Sequence, residues 1–379
     1  MRGAGAGCRA RRTAHMVSAA VDPRRCRAHA SHETGRGKGV GVQYREMGTP
    51  ELLVSVVGFG GWPMGGRFYG ADMDAEATAT IHAAIDQGIN LFDTAAGYGM
   101  GHSEALMGAA LRGRRDEVIV VTKFGIYRDE SVHAYRRDGR PSAVRRGCES
   151  SLRHLGIDHI DVFLHHWPDP DTPIADTMGA AKELIDEGKV RFVGVSNYTP
   201  AQMAEASAVL PIVANQVGYH MLDRRHAERI FPSCEEHGVG VMAYGSLAHG
   251  VLAGQFRLDT KLNDDDWRAT GYAFGLPIFH ADHLPQNLVV VEQIRALAKQ
   301  AGLDLPQLAL RWVIENPTVS TALVGFRNPD EVAAAAAAAE ADVPAAVMQE
   351  ADAATRTAYE RMLADELPPA DLGPLRRNA

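Results

Sequence analysis

Eight short runs rich in β-branched and aromatic residues alternate with amphipathic stretches along most of this chain, and that alternation restricts the fold more than any other feature. The runs are VVGFG (56–60), LFDTA (91–95), VIVVTKF (118–124), DVFLHHW (161–167), FVGVSN (192–197), VANQVGY (213–219), VMAYGSL (241–247) and TALVGF (321–326). Between them lie helical patterns such as DAEATATIHAAIDQG, SEALMGAALRG, SAVRRGCESSLRHLG, IADTMGAAKELIDEG, RRHAERIFPSCEEHG and LPQLALRWVIEN. Several stop at Gly, the residue that most easily takes the left-handed conformation at a helix end. The rhythm predicts an α/β chain folded as a parallel (β/α)8 (TIM) barrel. An open doubly wound sheet shares the local pattern, but no GxGxxG follows the first strand, so a Rossmann dinucleotide site has no support.

Outside the rhythm, YREMG and LLVSVV flank the turn TPE and predict an N-terminal β-hairpin that plugs one end of the barrel. A long polar and aromatic connection, roughly 250–285, follows strand seven and reads as a lid or binding loop. The Ala-rich stretch 333–346 and MQEADAATRTAYERMLADE predict the last barrel helix and a closing C-terminal helix. Residues 1–42 are rich in Arg, Gly and Ala without periodicity and predict a disordered extension before a barrel domain at 43–379. Their composition fits an over-called upstream start, a tail outside the fold or an organellar targeting segment.

The bulk numbers narrow the classes. A hydrophobic fraction of 46% supplies one large core, and a net charge of −8 argues against nucleic-acid partners, which need a basic face. The longest apolar run, Val332 to Ala339, falls short of the roughly 18 to 20 residues that span a bilayer, so no membrane partner is expected. Cys8, Cys26, Cys148 and Cys234 are scattered and read as free thiols in a reducing, cytoplasmic setting. Nothing fixes the oligomeric state.

In such a barrel alternate side chains point inward and chemistry gathers at the C-terminal ends of the strands. Ile119, Val121 and Lys123 share one face of their strand; Val162, Leu164 and His166 share another; Leu91 pairs with Asp93. Three strands therefore end in an inward polar residue after inward aliphatics. Buried alone, each would cost several kcal/mol, so they are expected to pair with one another. Tyr98, five residues beyond Asp93, can swing over the mouth. A phenol beside an ammonium has its phenolate stabilised, so Lys123 would make Tyr98 a usable proton donor, Asp93 would keep Lys123 charged, and His166 would bond the substrate oxygen or relay the proton. Reduction of a carbonyl suits this set, because hydride arriving at carbon leaves negative charge on oxygen.

Taken jointly, LFDTAAGYGMGHSEALMG, VTKFG, FLHHWPDP, VGVSNYTP, ANQVGYHMLDR, VMAYGSLAHGVLAG and LVGFRNP resemble the aldo-keto reductase superfamily in order and spacing, over about 43–345. The resemblance implies a catalytic tetrad of Asp93, Tyr98, Lys123 and His166 and a nicotinamide dinucleotide cofactor. It implies that Ser196, Asn197 and Gln216 hold the carboxamide and that Tyr244 stacks on the nicotinamide ring. Gly245, Ser246 and Leu247 would lie along the pyrophosphate, and Gly325, Arg327 and Asn328 at the adenine end. There the sequence departs from the pattern: Glu331 stands where relatives often carry Arg or Gln, and Ala335 where Asn commonly contacts adenine. NADP is favoured, with NAD possible, since Arg327 suits a phosphate and Glu331 opposes it.

Other residues admit blander roles. Trp62 and Trp167 read as substrate walls or as barrel packing, Trp267 as a lid residue, and His165 as a packing histidine between strand and helix. Tyr219 and His220 read equally as structural or substrate-facing. Adjacent strand residues point oppositely, so the HH pair is not expected to bind a metal. The expected activity is NAD(P)H-dependent reduction of small aldehyde, ketone or sugar carbonyls, or the reverse oxidation. A cofactor-binding redox sensor with little turnover and a Schiff-base lyase using Lys123 are the rival readings.

Overall fold

The structure, a computed structural model, describes residues 42–66, 74–129, 131, 134–263 and 266–367; the expectations for the tail at 1–41 lie outside the described residues. Tyr44–Glu46 (β1) and Leu53–Ser55 (β2) form the antiparallel N-terminal hairpin. Val57–Gly60 (β3), Leu91–Asp93 (β4) and Ile119–Phe124 (β5) follow, and then a second hairpin of Ile126–Asp129 (β6) with Ala134–Arg137 (β7). Ile160–His165 (β8), Val190–Ser196 (β9), Ile212–Gly218 (β10), Gly240–Tyr244 (β11) and Val319–Val324 (β12) complete the strands. The eight parallel strands pair in chain order and close where Ala322, Leu323 and Val324 of β12 meet Val57, Gly58 and Phe59 of β3. Closure removes the sheet edges.

The helices are Asp74–Asp86 (α1), His102–Ala110 (α2), Pro141–Leu155 (α3), Ile174–Asp186 (α4), Pro200–Ser207 (α5), Arg225–Arg229 (α6), Phe231–His237 (α7), Leu284–Gln300 (α8), Leu305–Glu315 (α9), Pro329–Glu340 (α10) and Ala345–Leu363 (α11). Capping chemistry marks several starts. Thr199 with Gln202 caps α5 and Asp304 with Gln307 caps α9, each with Pro in the first turn. The single helix expected across RRHAERIFPSCEEHG is broken into α6 and α7 at Ile230. Pro232 has no N–H to bond back along a continuous helix, and its ring would strike the carbonyl of Glu228.

Strand parity sorts the side chains into two cores. Leu91, Val121, Val162, Leu164, Met242 and Leu323 fill the barrel interior, and Met47, Leu52 and Val54 of the hairpin plug it from below. On the other strand face Phe59, Phe92, Val120, Phe124 and Phe163 pack against the helices. The plug comes so close that a Cβ on Gly48 (φ 70°) would lie 2.1 Å from the Val213 carbonyl oxygen; only glycine fits there. Arg45 then ties the hairpin to the chain before β12, donating to the carbonyls of Ile314, Asn316 and Val319 at 2.8, 3.1 and 2.6 Å.

The closing helix α11 is held by buried polar contacts. Arg224 donates to Asp352 Oδ1 at 2.6 Å and to Thr355 Oγ1 at 2.7 Å, and Trp312 Nε1 donates to the same Asp352 oxygen at 3.0 Å. Among the described residues no helix is long and apolar enough to cross a membrane.

Buried histidines, His165 and His220 among them, are expected to make the fold acid-sensitive. Burial lowers the pKa of both His165 and His220 to about 4. An unfolded histidine takes up its proton near pH 6.5, so the unfolded state binds more protons between these values and stability falls with pH across that window. The thermal midpoint measured by circular dichroism is expected to hold above about pH 6.5 and to drop between there and pH 4. His165→Gln should make the drop shallower; an unaltered slope would show that His165 titrates normally in the folded protein.

Candidate active site

At the C-terminal mouth the inward residues predicted from parity meet. Asp93 ends β4 and Lys123 is the penultimate residue of β5; both are buried, at 3% and 1% exposure. Lys123 Nζ donates to both Asp93 oxygens at 2.8 and 2.7 Å, to the Thr94 carbonyl at 2.8 Å and to Tyr98 OH at 3.1 Å. An ammonium has three protons, and here each has an acceptor: the carboxylate, a peptide carbonyl and the phenol oxygen. Gln216 Nε2 donates to Asp93 Oδ1 at 2.8 Å, so the carboxylate is bonded from a strand 123 positions away.

The loop after β4 carries Tyr98 into place. Gly99, Met100 and Gly101 all have positive φ. A Cβ on Gly99 would lie 2.6 Å from the Gly65 carbonyl oxygen, so the loop can press against the 3₁₀ turn Trp62–Gly65 only because that residue is glycine. The same approach stacks Trp62 on Tyr98, with centroids 6.1 Å apart.

His166 lies one residue past β8, where its N–H still donates to the Phe124 carbonyl at 3.0 Å, so strand parity carries through to it. Its ring meets Tyr98 edge-on at 5.8 Å. His165 faces outward instead, stacked on Phe124 at 4.9 Å and bonded through Nδ1 to Tyr198 OH at 2.6 Å. It is the packing histidine that alternation predicts.

Burial dominates the electrostatics. It raises the pKa of Asp93 and lowers that of Lys123, each opposed by attraction to the other. His166 is held well below its ordinary value by burial first, then by Lys123 and His165. It is therefore neutral at physiological pH, a hydrogen-bond donor rather than an imidazolium. Behind Lys123, the fully buried Glu104 of α2 accepts from Thr122 Oγ1 at 2.7 Å and faces His154 Nδ1 at 3.0 Å. The sequence reading missed this carboxylate, which braces α2 and α3 against β5.

A cleft of about 580 Å³ runs from these groups across the barrel mouth. Ser196, Asn197, Gln216 and Tyr244 line it next to the tetrad, followed by Gly245, Ser246 and Leu247, and then by Gly325 and Arg327. Tyr244 OH donates to Asn197 Oδ1 at 3.0 Å, and Asn197 Nδ2 donates to Ser196 Oγ at 2.9 Å, so the three are locked together. Trp62 and Trp167 line the end near Tyr98. Asn328 is the exception: it does not line the cleft, and its side chain instead caps α10 by accepting from the Glu331 N–H at 3.0 Å.

Glu331 and Ala335 do reach the far end of the cleft. Arg327 is chelated there, its Nε donating to Glu331 Oε1 at 2.8 Å and its backbone N–H to Oε2 at 2.9 Å, while Nη1 reaches Gln255 at 3.1 Å. Tyr219 and His220 do not line the cleft; Tyr219 packs on Phe231 and Trp312, and His220, behind the cleft residue His249, accepts through Nδ1 from the Leu222 N–H. Trp267 is buried behind Trp62, stacked at 5.7 Å, rather than forming a lid. Phe274 of the long loop and Ile126 and Tyr135 of the second hairpin line the cleft without having been anticipated. The sequence signal for the hairpin is the pair IYRD and AYRR, separated by four residues.

Removing one partner of the buried pair should be far worse than removing both charges. Lys123→Met strands Asp93 and is expected to cost about 3–5 kcal/mol in urea unfolding. The double substitution Asp93→Asn with Lys123→Met should recover much of that loss, and equal losses in the two would deny the coupling.

The comparisons agree with the geometry. The family model described as Aldo/keto reductase family matches residues 56–356. Aldo-keto reductase YhdN of Bacillus subtilis is 35% identical over 296 residues, covering 77% of this chain and 87% of that protein. Probable aldo-keto reductase 1 of Glycine max is 33% identical over 275 residues, 72% of this chain and 78% of that one. Among solved structures, glycerol dehydrogenase AKR11B4 from Gluconobacter oxydans superposes with a TM-score of 0.74 at 33% identity, covering 86% of this chain and 97% of its own. An aldo/keto reductase from Klebsiella pneumoniae, solved with NADP and acetate, gives 0.64 at 30% identity, with 84% and 96% covered. With its closed barrel and the four side chains gathered at one mouth, this chain belongs to the aldo/keto reductase family.

Proposed function

We propose that this protein reduces small carbonyl compounds with NADPH, using Tyr98 as proton donor. The observation that carries the reading is the single hydrogen-bonded set in which Lys123 Nζ touches both Asp93 and Tyr98 OH. The cleft residues fit a nicotinamide dinucleotide. Its length joins the tetrad to a guanidinium at Arg327, a locked aromatic lies beside the tetrad in Tyr244, and Gly245 (φ 69°) presents backbone rather than a side chain between them. Ser196, Asn197 and Gln216 would hold the carboxamide, Tyr244 would cover one ring face, and Arg327 would meet the 2′-phosphate. When bound, the cofactor supplies the hydride.

The chain's own residues handle the oxygen. A carbonyl oxygen between Tyr98 OH and the His166 ring gathers negative charge as its carbon is reduced. Neutral His166 donates a hydrogen bond to it, and Tyr98 OH gives up its proton to it. The phenolate left behind is stabilised by the Lys123 ammonium, which Asp93 orients. Because Nζ donates to the carboxylate, the Thr94 carbonyl and the phenol at once, this geometry holds the amine protonated and disfavours the Schiff-base lyase, which needs a free lone pair.

Tyr98→Phe should lower kcat for NADPH-dependent aldehyde reduction by about 10²–10⁴-fold, read as absorbance loss at the nicotinamide band; full activity in the variant would remove Tyr98 from the chemistry. Glu331 competes for Arg327 with any 2′-phosphate. Glu331→Gln should tighten NADPH binding about fivefold with little effect on NADH, measured by fluorescence titration. No change for NADPH would mean that the phosphate does not meet Arg327.

A further inference from the structure

The long connection after β11 comes back to the barrel mouth as a tight turn. Ala273 N donates to the Leu276 carbonyl at 2.8 Å and Leu276 N donates back to the Ala273 carbonyl at 3.0 Å, which makes Phe274 and Gly275 the two central residues. Both have positive φ, 48° and 87°, the pattern of a type I′ turn. Gly275 suits its position. The first is ordinarily Asn, Asp or Gly, and a phenylalanine there is strained.

The strain is held by contacts from distant chain. Arg225 Nη2 donates to the Phe274 carbonyl at 3.1 Å, and Leu367 N, beyond α11, donates to the Gly275 carbonyl at 2.9 Å. Arg225 is itself fixed by Asp223 at 2.6 Å and Glu366 at 2.9 Å. The C-terminal segment and α6 thus clasp the tip, so the ring of Phe274 has a fixed position. A strained residue clasped this firmly beside a cleft points to a role for its side chain.

That ring joins a belt of aromatic groups leading from the proton donor. Tyr98 stacks on Trp62 and Trp62 on Trp267; Trp267 meets Phe274 at 5.8 Å, and Phe274 lies 15° from parallel to Trp167 at 6.4 Å and 5.1 Å from Tyr244. Among the described residues, the charged side chains that line the cleft each have an ion-pair partner: Asp93 has Lys123, Arg268 has Asp266, and Arg327 has Glu331. Among the described residues, the substrate end beside Tyr98, His166 and the Tyr135 phenol therefore offers flat apolar faces and little charge to replace the water removed from several hydroxyls or a carboxylate.

Resting on the carbonyl-reductase reading above, we propose that Phe274 is a specificity-determining residue that selects flat, uncharged aryl aldehydes and ketones over polyhydroxylated and anionic carbonyl substrates. The test follows NADPH oxidation by the full chain with benzaldehyde, glyceraldehyde and glyoxylate. Benzaldehyde is expected to show a kcat/KM at least about tenfold above the other two. Phe274→Asn relaxes the turn while deleting the ring, so its thermal midpoint should stay at or above that of the parent while the benzaldehyde-to-glyceraldehyde ratio falls about tenfold. Phe274→Tyr should keep the ratio. A parent enzyme that prefers glyceraldehyde or glyoxylate, or a ratio within twofold of the parent in Phe274→Asn, overturns the proposal. Absence of turnover with all three compounds and with either NADPH or NADH would instead overturn the carbonyl-reductase reading, and this proposal with it.

Discussion

The buried contact between Lys123 and Asp93 organises the mouth of this barrel. Two charges with 0% and 4% side-chain exposure persist there because each meets the other at 2.7 Å and because every remaining proton of the ammonium has an acceptor. Such a pair adds little net stability compared with apolar packing, yet breaking it is costly, and so it fixes geometry. It does so for three strands and a loop at once. Lys123 reaches Tyr98, Asp93 receives Gln216, and the Thr94 carbonyl is drawn into the same knot. The Tyr98 phenol is thereby positioned by groups that cannot move without exposing an unpaired charge.

Around this knot the cleft has two chemically distinct ends. Toward Arg327 it is polar and ionic: Glu331, in the first turn of α10, pairs with Arg327 four residues earlier, just ahead of the cap residue Asn328. Toward Trp62 and Trp167 it is aromatic, and its last wall, Phe274, sits on a turn whose conformation is unfavourable for that residue. The two ends thus differ in kind, ion-paired side chains at one and flat aromatic faces at the other.

Much of the barrel was legible because its signals are local. The parity of Ile119, Val121 and Lys123 in β5 and of Val162, Leu164 and His166 along β8 depends only on a strand's two-residue repeat, and the structure puts Val121, Leu91, Val162 and Leu164 in one interior core as that repeat requires. Parity also separated His166 from His165, whose ring lies against Phe124 and Tyr198 outside the barrel. Elsewhere local reading failed. Asn328 matched a motif, but the need of α10 for a cap claims its side chain, and the helix expected across 224–238 yields to Pro232.

What the sequence alone determined was the order of the elements and which face of each strand carries chemistry, because both follow from short-range periodicity and hard backbone sterics. Only the tertiary structure decided that Glu104 braces the lysine strand, that Arg225 and Leu367 clasp the turn at Phe274, and that Phe274 faces Trp167. Each of these rests on contacts that no local period encodes. The clearest case is Gly275, whose carbonyl is held by the N–H of Leu367: such a bond forms only once the barrel has closed and brought the two segments together.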